Sequence, residues 1–216
     1  MKKLILYDLD GTLVDTREDI VRAVSHMLAQ MREGLLPREQ IIRFVGRGLR
    51  QLVTDCLKTQ DVQRIEEGMS IFRLYYAQHL LDHSQLYPGA LELLEHFRDR
   101  KQAVLTNKPN PFSRDILTGL GIHRFFSEIV VGDSVVPKKP DPFSLISLLS
   151  RQQVNSTEAL FIGDSAVDIQ TGRNAGVLTV IILHGFADEK ETRASKPDLT
   201  VRSLEELIKL AKTRGW

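Results

Sequence analysis

Five short apolar runs, each closed by polar or glycine-rich residues, constrain this chain's fold more than any other feature. They are Leu4-Ile5-Leu6-Tyr7, Ala103-Val104-Leu105, Ile129-Val130-Val131, Leu160-Phe161-Ile162 and Val177 to Leu183. Runs this brief, apolar at successive instead of alternate positions, are strands buried on both faces, the condition of a parallel sheet covered by helices. Helical patterns lie between them. Pro88 opens one helix in its first turn, with Leu91, Leu94 and Phe97 as its stripe, and Leu204, Leu207, Ile208 and Ala211 stripe the last. The alternation predicts an α/β doubly wound parallel sheet, a Rossmann-like core.

The rhythm breaks between the first strand and Pro88, where no convincing strand occurs. Ile20, Val24, Met27, Leu28 and Met31 keep helical spacing, with Asp15 or Thr16 as the cap, and Ile65, Met69, Phe72, Tyr76 and Leu80 repeat the pattern further on. A crossover between parallel strands needs only about a dozen residues. The excess predicts an inserted all-helical cap domain, residues 16–83, on a core made of residues 1–15 and 84–216. The 216 residues, 42% hydrophobic and 26% charged, are enough for such a core without disulfides or a structural metal. A net charge of +1 argues against a broad nucleic-acid surface or a polybasic membrane surface. The single cysteine, Cys56, sits in a helical pattern as a packing residue and fits a reducing compartment. The apolar stretch before Asp8 is too short for a signal peptide, and no run approaches a membrane span. A soluble cytoplasmic protein is the expectation.

In an open parallel sheet the ligand site lies beyond the carboxyl ends of the strands. Here those ends carry Asp8-Leu9-Asp10-Gly11-Thr12, Thr106-Asn107-Lys108 and Gly163-Asp164-Ser165, with Asp168 a helical turn later and Lys138-Lys139-Pro140 after the third strand. Four aspartates with lysine and threonine suit phosphoryl transfer. Carboxylates hold a hard divalent cation, and lysine, hydroxyl and backbone amides bind the transferring oxygens. An aspartate can attack phosphorus to form an acyl phosphate. A second carboxylate two residues on can protonate the leaving oxygen and then activate water.

Taken together, Asp8-Leu9-Asp10-Gly11-Thr12, Thr106, Lys139-Pro140 and Gly163-Asp164-Ser165-Ala166-Val167-Asp168 resemble the four motifs of the haloacid dehalogenase superfamily, in order and over essentially the whole chain. The helical insertion is similar to that superfamily's cap. Thr106-Asn107-Lys108-Pro109, Val45-Gly46-Arg47-Gly48 and Gly172-Arg173-Asn174-Ala175-Gly176 resemble its phosphoglycolate-phosphatase-like branch. The resemblance implies a phosphatase acting on a small phosphate ester, phosphoglycolate among the candidates, with Mg2+ as cofactor. It implies Asp8 as nucleophile and metal ligand, and Asp10 as acid/base that also binds metal through its backbone carbonyl. Asp164 is implied as a metal ligand, and Asp168 as supporting the metal directly or through water. Thr106 and Lys139 are implied to hold the phosphoryl group, with Lys138 as the adjacent alternative.

Asn107 is a further substrate-binding candidate, and Arg47, framed by Gly46 and Gly48, is expected to reach the substrate from the insertion. His184-Gly185 marks the end of the fifth strand. A sugar-phosphate mutase of the same superfamily shares the cap and both aspartates. A carbon-attacking dehalogenase disagrees with Asp10. A phosphorylated receiver domain would have to place Asp133, in Gly132-Asp133-Ser134, as its phosphorylated residue, and leaves the insertion unexplained.

Overall fold

The structure is a computed structural model and describes residues 1–133 and 137–216. Ser134, part of the receiver alternative, lies outside the described residues. Six strands form one parallel sheet: β1 (Leu4–Tyr7), β4 (Lys101–Leu105), β5 (Glu128–Val130), β6 (Ala159–Gly163), β7 (Leu178–Ile182) and β8 (Leu199–Val201), in the order β5-β4-β1-β6-β7-β8. All five predicted runs are strands of this sheet. A sixth, β8, is short and carries Thr200 in its middle, so it gives no apolar run to detect.

The chain builds outward from β1 through β4 to β5, then returns to the other side of β1 to lay down β6, β7 and β8. The strand order therefore reverses between β1 and β6, which opens a crevice at their carboxyl ends. Successive residues of β1 face opposite layers. Ile5 and Tyr7 pack towards α5 (Ala90–His96), α6 (Phe112–Gly119) and α10 (Leu204–Arg214). Leu4 and Leu6 pack towards α7 (Phe143–Gln152), with α8 (Ala166–Ala175) beside it. All four residues of β1 are fully buried, as a central strand covered on both sides must be. The stripe on α5 differs by one position from the expected one. Leu94 and Phe97 are buried as predicted, but Leu91 is 42% exposed and Leu93 takes its place. The helix starts at Ala90 after Gly89, later than Pro88 suggests, and its buried face runs through Ala90, Leu93 and Leu94.

Four helices lie between β2 (Val14–Asp15) and β3 (Gln85–Leu86): α1 (Arg17–Gln30), α2 (Arg38–Arg43), α3 (Leu49–Leu57) and α4 (Val62–His79). β2 and β3 pair antiparallel, so the outgoing and returning connections run side by side as two short strands that the sequence does not reveal. Ile20, Val24, Met27 and Leu28 of α1 are buried, as are Ile65, Met69, Phe72 and Tyr76 of α4 and Leu80 just beyond it, and Met31 is partly buried. Thr16 is the N-terminal cap position of α1 but makes no side-chain cap bond; Asp15 Oδ1 accepts from the Arg17 backbone instead. Fully buried Asp19 ties the two connections together. Its carboxylate accepts from the backbone N–H of His83 and of Ser84 and from the Ser84 hydroxyl. Cys56 is buried in α3, and burial pushes its thiol up to about 12. The described residues also include α9 (Glu189–Ala194) and two short 3-10 helices, His123–Phe125 and Ser156–Glu158. No helix among the described residues is long and apolar enough to cross a membrane.

Candidate active site

The crevice between β1 and β6 gathers most of the polar residues read from the strand ends. Asp8 follows β1 and keeps the sheet's register, its N–H bonding Ile162 O at 2.9 Å. Asp164 follows β6, and Asp168 lies in the first turn of α8. Carboxylate oxygens of Asp8, Asp164 and Asp168 lie within 4.8 Å of one another, all three residues buried. Lys139 inserts its ammonium among them, 3.0 Å from Asp8 Oδ1 and 2.7 Å from Asp168 Oδ1. Lys138 is the less buried of the adjacent lysines and makes no such contact among the described residues.

Each of these charges has a distinct role in the geometry. Asp168 is a structural hub. Its Oδ2 accepts from Ser165 Oγ at 2.7 Å and from the backbone of Asp164 and Ser165, while Oδ1 holds Lys139. Asp164 accepts from the Phe186 backbone at 2.7 Å, with Thr12 Oγ1 3.5 Å away. Asp8 takes both its bonds at Oδ1, from the Leu9 N–H and Lys139, which leaves Oδ2 without a hydrogen-bond donor among the described residues. Burial pushes the Asp8 carboxyl up to about 6, with Lys139 pulling the other way and Asp168 and Asp10 adding to the rise. Burial, then Asp168 and Asp8, push the Asp164 carboxyl well above its ordinary range. Burial alone would lower the Lys139 pKa, but Asp168 and Asp8 outweigh it and keep the lysine charged. Three buried carboxylates thus share one ammonium, a site with excess negative charge.

Two glycines make this packing possible. A Cβ on Gly11 would lie 2.2 Å from Asp164 Oδ2, at a φ of +82° that disfavours other residues. A Cβ on Gly185 would lie 2.2 Å from the Cβ of Asp164. Beside it, His184 stacks on Tyr87 at 3.8 Å with Nε2 3.3 Å from Thr12 O, so it braces the end of β7.

Asp10 stands apart from the three-carboxylate cluster. Its side chain accepts from Thr16 Oγ1 at 2.6 Å and from Lys108 Nζ at 3.1 and 3.3 Å. Thr106 is buried at the end of β4, its N–H bonded to Val130 O and its hydroxyl oxygen accepting from the Lys108 N–H. Asn107 donates to Gly46 O and to Lys139 O, both at 2.9 Å, and accepts from Lys139 N–H at 3.1 Å. Both amide hydrogens are taken by carbonyls, so this side chain fixes the Lys139 loop and joins it to the α2–α3 loop.

Gly46 and Gly48 both have positive φ, and Arg47 between them is exposed. It borders a cavity of about 470 Å³ whose walls include Asp8, Asp10 and Asp164. A tighter pouch of about 50 Å³ continues between the inserted helices and the sheet, past Lys108 and Tyr76. Asp133 is exposed, accepts from the Asn110 N–H and takes no part in the cluster. Lys108 and Tyr76 are the residues whose roles the sequence leaves unread. Lys108 lies inside a recognisable motif but without an assigned task, and Tyr76 is hidden in a helical stripe.

This architecture and cluster define a hydrolase of the haloacid dehalogenase type. Residues 5–182 match the family described as haloacid dehalogenase-like hydrolase, and the chain belongs to it. It is 34% identical to a phosphoglycolate phosphatase of Pseudomonas savastanoi pv. phaseolicola, over 96% of this chain and 79% of that protein. It is 33% identical to a phosphoglycolate phosphatase of Vibrio parahaemolyticus, over 96% of this chain and 95% of that one. Among solved structures, one described as a predicted phosphoglycolate phosphatase from Haemophilus somnus superposes with a TM-score of 0.92 at 28% identity, covering 97% of this chain and 98% of that chain.

Proposed function

We propose that this protein is a Mg2+-dependent phosphatase that hydrolyses small phosphate monoesters, phosphoglycolate foremost, through phosphorylation of Asp8. The observation that carries the reading is the buried Asp8–Lys139–Asp168–Asp164 constellation at the strand-order reversal. An all-oxygen donor set with excess negative charge fits a hard divalent cation. Asp8 and Asp164 would hold it, with Asp10 contributing its backbone carbonyl and Asp168, whose oxygens already accept four hydrogen bonds, supporting directly or through water. When bound, the cation supplies charge neutralisation between the phosphate and the carboxylates.

The remaining chemistry belongs to the chain. The substrate phosphate sits between Asp8, Thr106 and Lys139, whose hydroxyl and ammonium bind its non-bridging oxygens. Asp8 Oδ2 attacks phosphorus, and the bond from phosphorus to the ester oxygen breaks. Asp10 gives that oxygen its proton. The resulting Asp10 carboxylate then takes a proton from water as the water attacks the aspartyl phosphate. This releases inorganic phosphate and restores both aspartates. Residues 16–83 form the cap over a core of 1–15 and 84–216, and Arg47 recognises the substrate carboxylate as a bidentate partner. The curated relatives' common activity supports phosphoglycolate as the ester. The lone buried cysteine suits a reducing compartment, the cytoplasm.

The test is Asp8→Asn, assayed with Mg2+ against phosphoglycolate and an aryl phosphate. Turnover is expected to fall by several orders of magnitude with the fold intact, and retention of more than about a tenth of wild-type activity would sink the nucleophile. Chelation is expected to abolish wild-type turnover, with Mg2+ restoring it.

A further inference from the structure

Lys108 is buried at the carboxyl end of β4 and meets three acceptors: Asp10 Oδ1 at 3.1 Å, Asp10 Oδ2 at 3.3 Å and Tyr76 Oη at 2.8 Å. An ammonium has three hydrogens. The two Asp10 oxygens belong to one carboxylate and share one N–H, while a second N–H goes to Tyr76 Oη. The same ammonium lies 4.7 Å from the centre of the Tyr76 ring. Tyr76 is carried by α4 of the insertion and is fully buried, its ring edge-on to Phe112 of the core at 5.0 Å. On the opposite side Asp10 is gripped by Thr16 at the head of α1. The Asp10 carboxylate is therefore held by one residue at the start of the insertion and by a lysine that is itself held by the insertion's longest helix.

We infer that Lys108 is a positioning residue that fixes the Asp10 carboxylate for proton transfer, and that Tyr76 makes this fixing depend on the inserted helices being seated on the sheet. The inference deepens the phosphatase reading and rests on it. A carboxylate that must deliver a proton to a leaving oxygen has to be oriented at hydrogen-bond distance from it. A two-point grip by Lys108 removes the rotation that would otherwise swing Asp10 away. Because Tyr76 is the third acceptor, lifting α4 leaves Lys108 with an unsatisfied hydrogen and Asp10 less firmly held. The acid would then be in position only while the site is closed to water.

The experiment compares full-length wild type, Lys108→Met, Lys108→Arg, Tyr76→Phe and Asp10→Asn, with Mg2+, in single-turnover phosphorylation by an alkyl ester (phosphoglycolate) and an aryl ester (p-nitrophenyl phosphate). The aryl leaving group needs little protonation. Lys108→Met is expected to slow the alkyl reaction by about 100-fold and the aryl reaction by at least about tenfold less, with KM within about threefold of wild type. Lys108→Arg is expected to recover part of the loss, and Tyr76→Phe to show the same ester selectivity at a few-fold loss. Equal losses for both esters from Lys108→Met overturn the inference, since they mark a merely structural residue. A raised KM with an unchanged rate overturns it in favour of substrate binding. Tyr76→Phe is nearly isosteric and carries the test if Lys108→Met does not fold. Wild-type behaviour of Tyr76→Phe, or equal losses for the two esters, overturns the coupling to the insertion. If Asp10→Asn is ester-selective and Lys108→Met is not, only this inference fails. If the wild type turns over neither ester, the phosphatase reading fails and the inference with it.

Discussion

Removing the cation exposes what the acidic cluster costs the fold, and Asp8 gives the size of that cost. Its carboxyl stands at about 6 in the folded protein against an ordinary value of 3.8. Between those values the native state keeps a proton that the unfolded chain has released. Folding stability must therefore fall as pH rises through that window, and the loss is complete above about 6. At about 1.4 kcal/mol per pH unit, the gap is worth about 3 kcal/mol. Asp8→Asn has no proton to lose, keeps an oxygen to accept from Leu9 and leaves Lys139 its bond to Asp168. In excess chelator, the wild type is expected to lose about 3 kcal/mol of stability relative to this variant between pH 4 and pH 7, so that the variant becomes the more stable protein near neutrality. Denaturant unfolding at stepped pH measures the difference, and groups that do not interact with Asp8 cancel between the two proteins. At pH 7, Mg2+ at about 100 times its dissociation constant adds about 2.7 kcal/mol to the wild type, and less to the variant because one ligand is neutral. A wild-type-minus-variant difference that stays flat within about 0.5 kcal/mol, or rises with pH, would refute the reasoning.

Three further outcomes are expected. Gly11→Ala places a methyl group 2.2 Å from Asp164 Oδ2 at a left-handed φ; thermal unfolding should show a loss of more than about 1 kcal/mol, and Mg2+ titration a weaker site. Asp19→Ala strips the acceptor from two backbone N–H groups and a hydroxyl at the paired connections. It should cost on the order of 3 kcal/mol in denaturant unfolding, and a change below about 1 kcal/mol would show that water replaces the carboxylate. Arg47→Ala should lower kcat/KM for phosphoglycolate by about tenfold or more while sparing an aryl phosphate, because only the former offers a carboxylate; equal effects on both would remove Arg47 as a specificity residue.

The parallel sheet was legible because burial on both faces leaves a mark in one dimension. Leu4 to Tyr7 are apolar without interruption, and no other common environment asks for that in so short a run. β8 escaped because an edge strand is covered less completely, and Thr200 interrupts its apolar character. The pairing of Val14–Asp15 with Gln85–Leu86 escaped for a different reason. Two residues carry no periodicity, and their partner lies beyond four intervening helices. The helices themselves were plain from the stripes of α1 and α4, since each buries one face and repeats over several turns. At α5 the inward stripe is Ala90, Leu93, Leu94 and Phe97, and Leu91, three residues before Leu94, falls at its outer edge.

The site divides in the same way. A parallel sheet sends every strand's carboxyl end to one edge, so Asp8, Thr106 and Asp164 were bound to be neighbours once their strands were recognised. What spacing could not show is how each carboxylate is partnered there. Asp8 and Asp10 are two residues apart on one loop, yet Asp8 joins Lys139 while Asp10 turns to Thr16 and Lys108. The partners that separate them come from three other parts of the chain: the loop after β5, the head of α1 and the end of β4. In the proposed mechanism, this separation lets the two aspartates do different chemistry. With both in the Lys139 cluster, the two carboxylates would compete for the same ammonium. Asp10 instead has its own lysine, and that lysine is anchored to Tyr76 of α4, so the position of Asp10 is linked to the inserted helices.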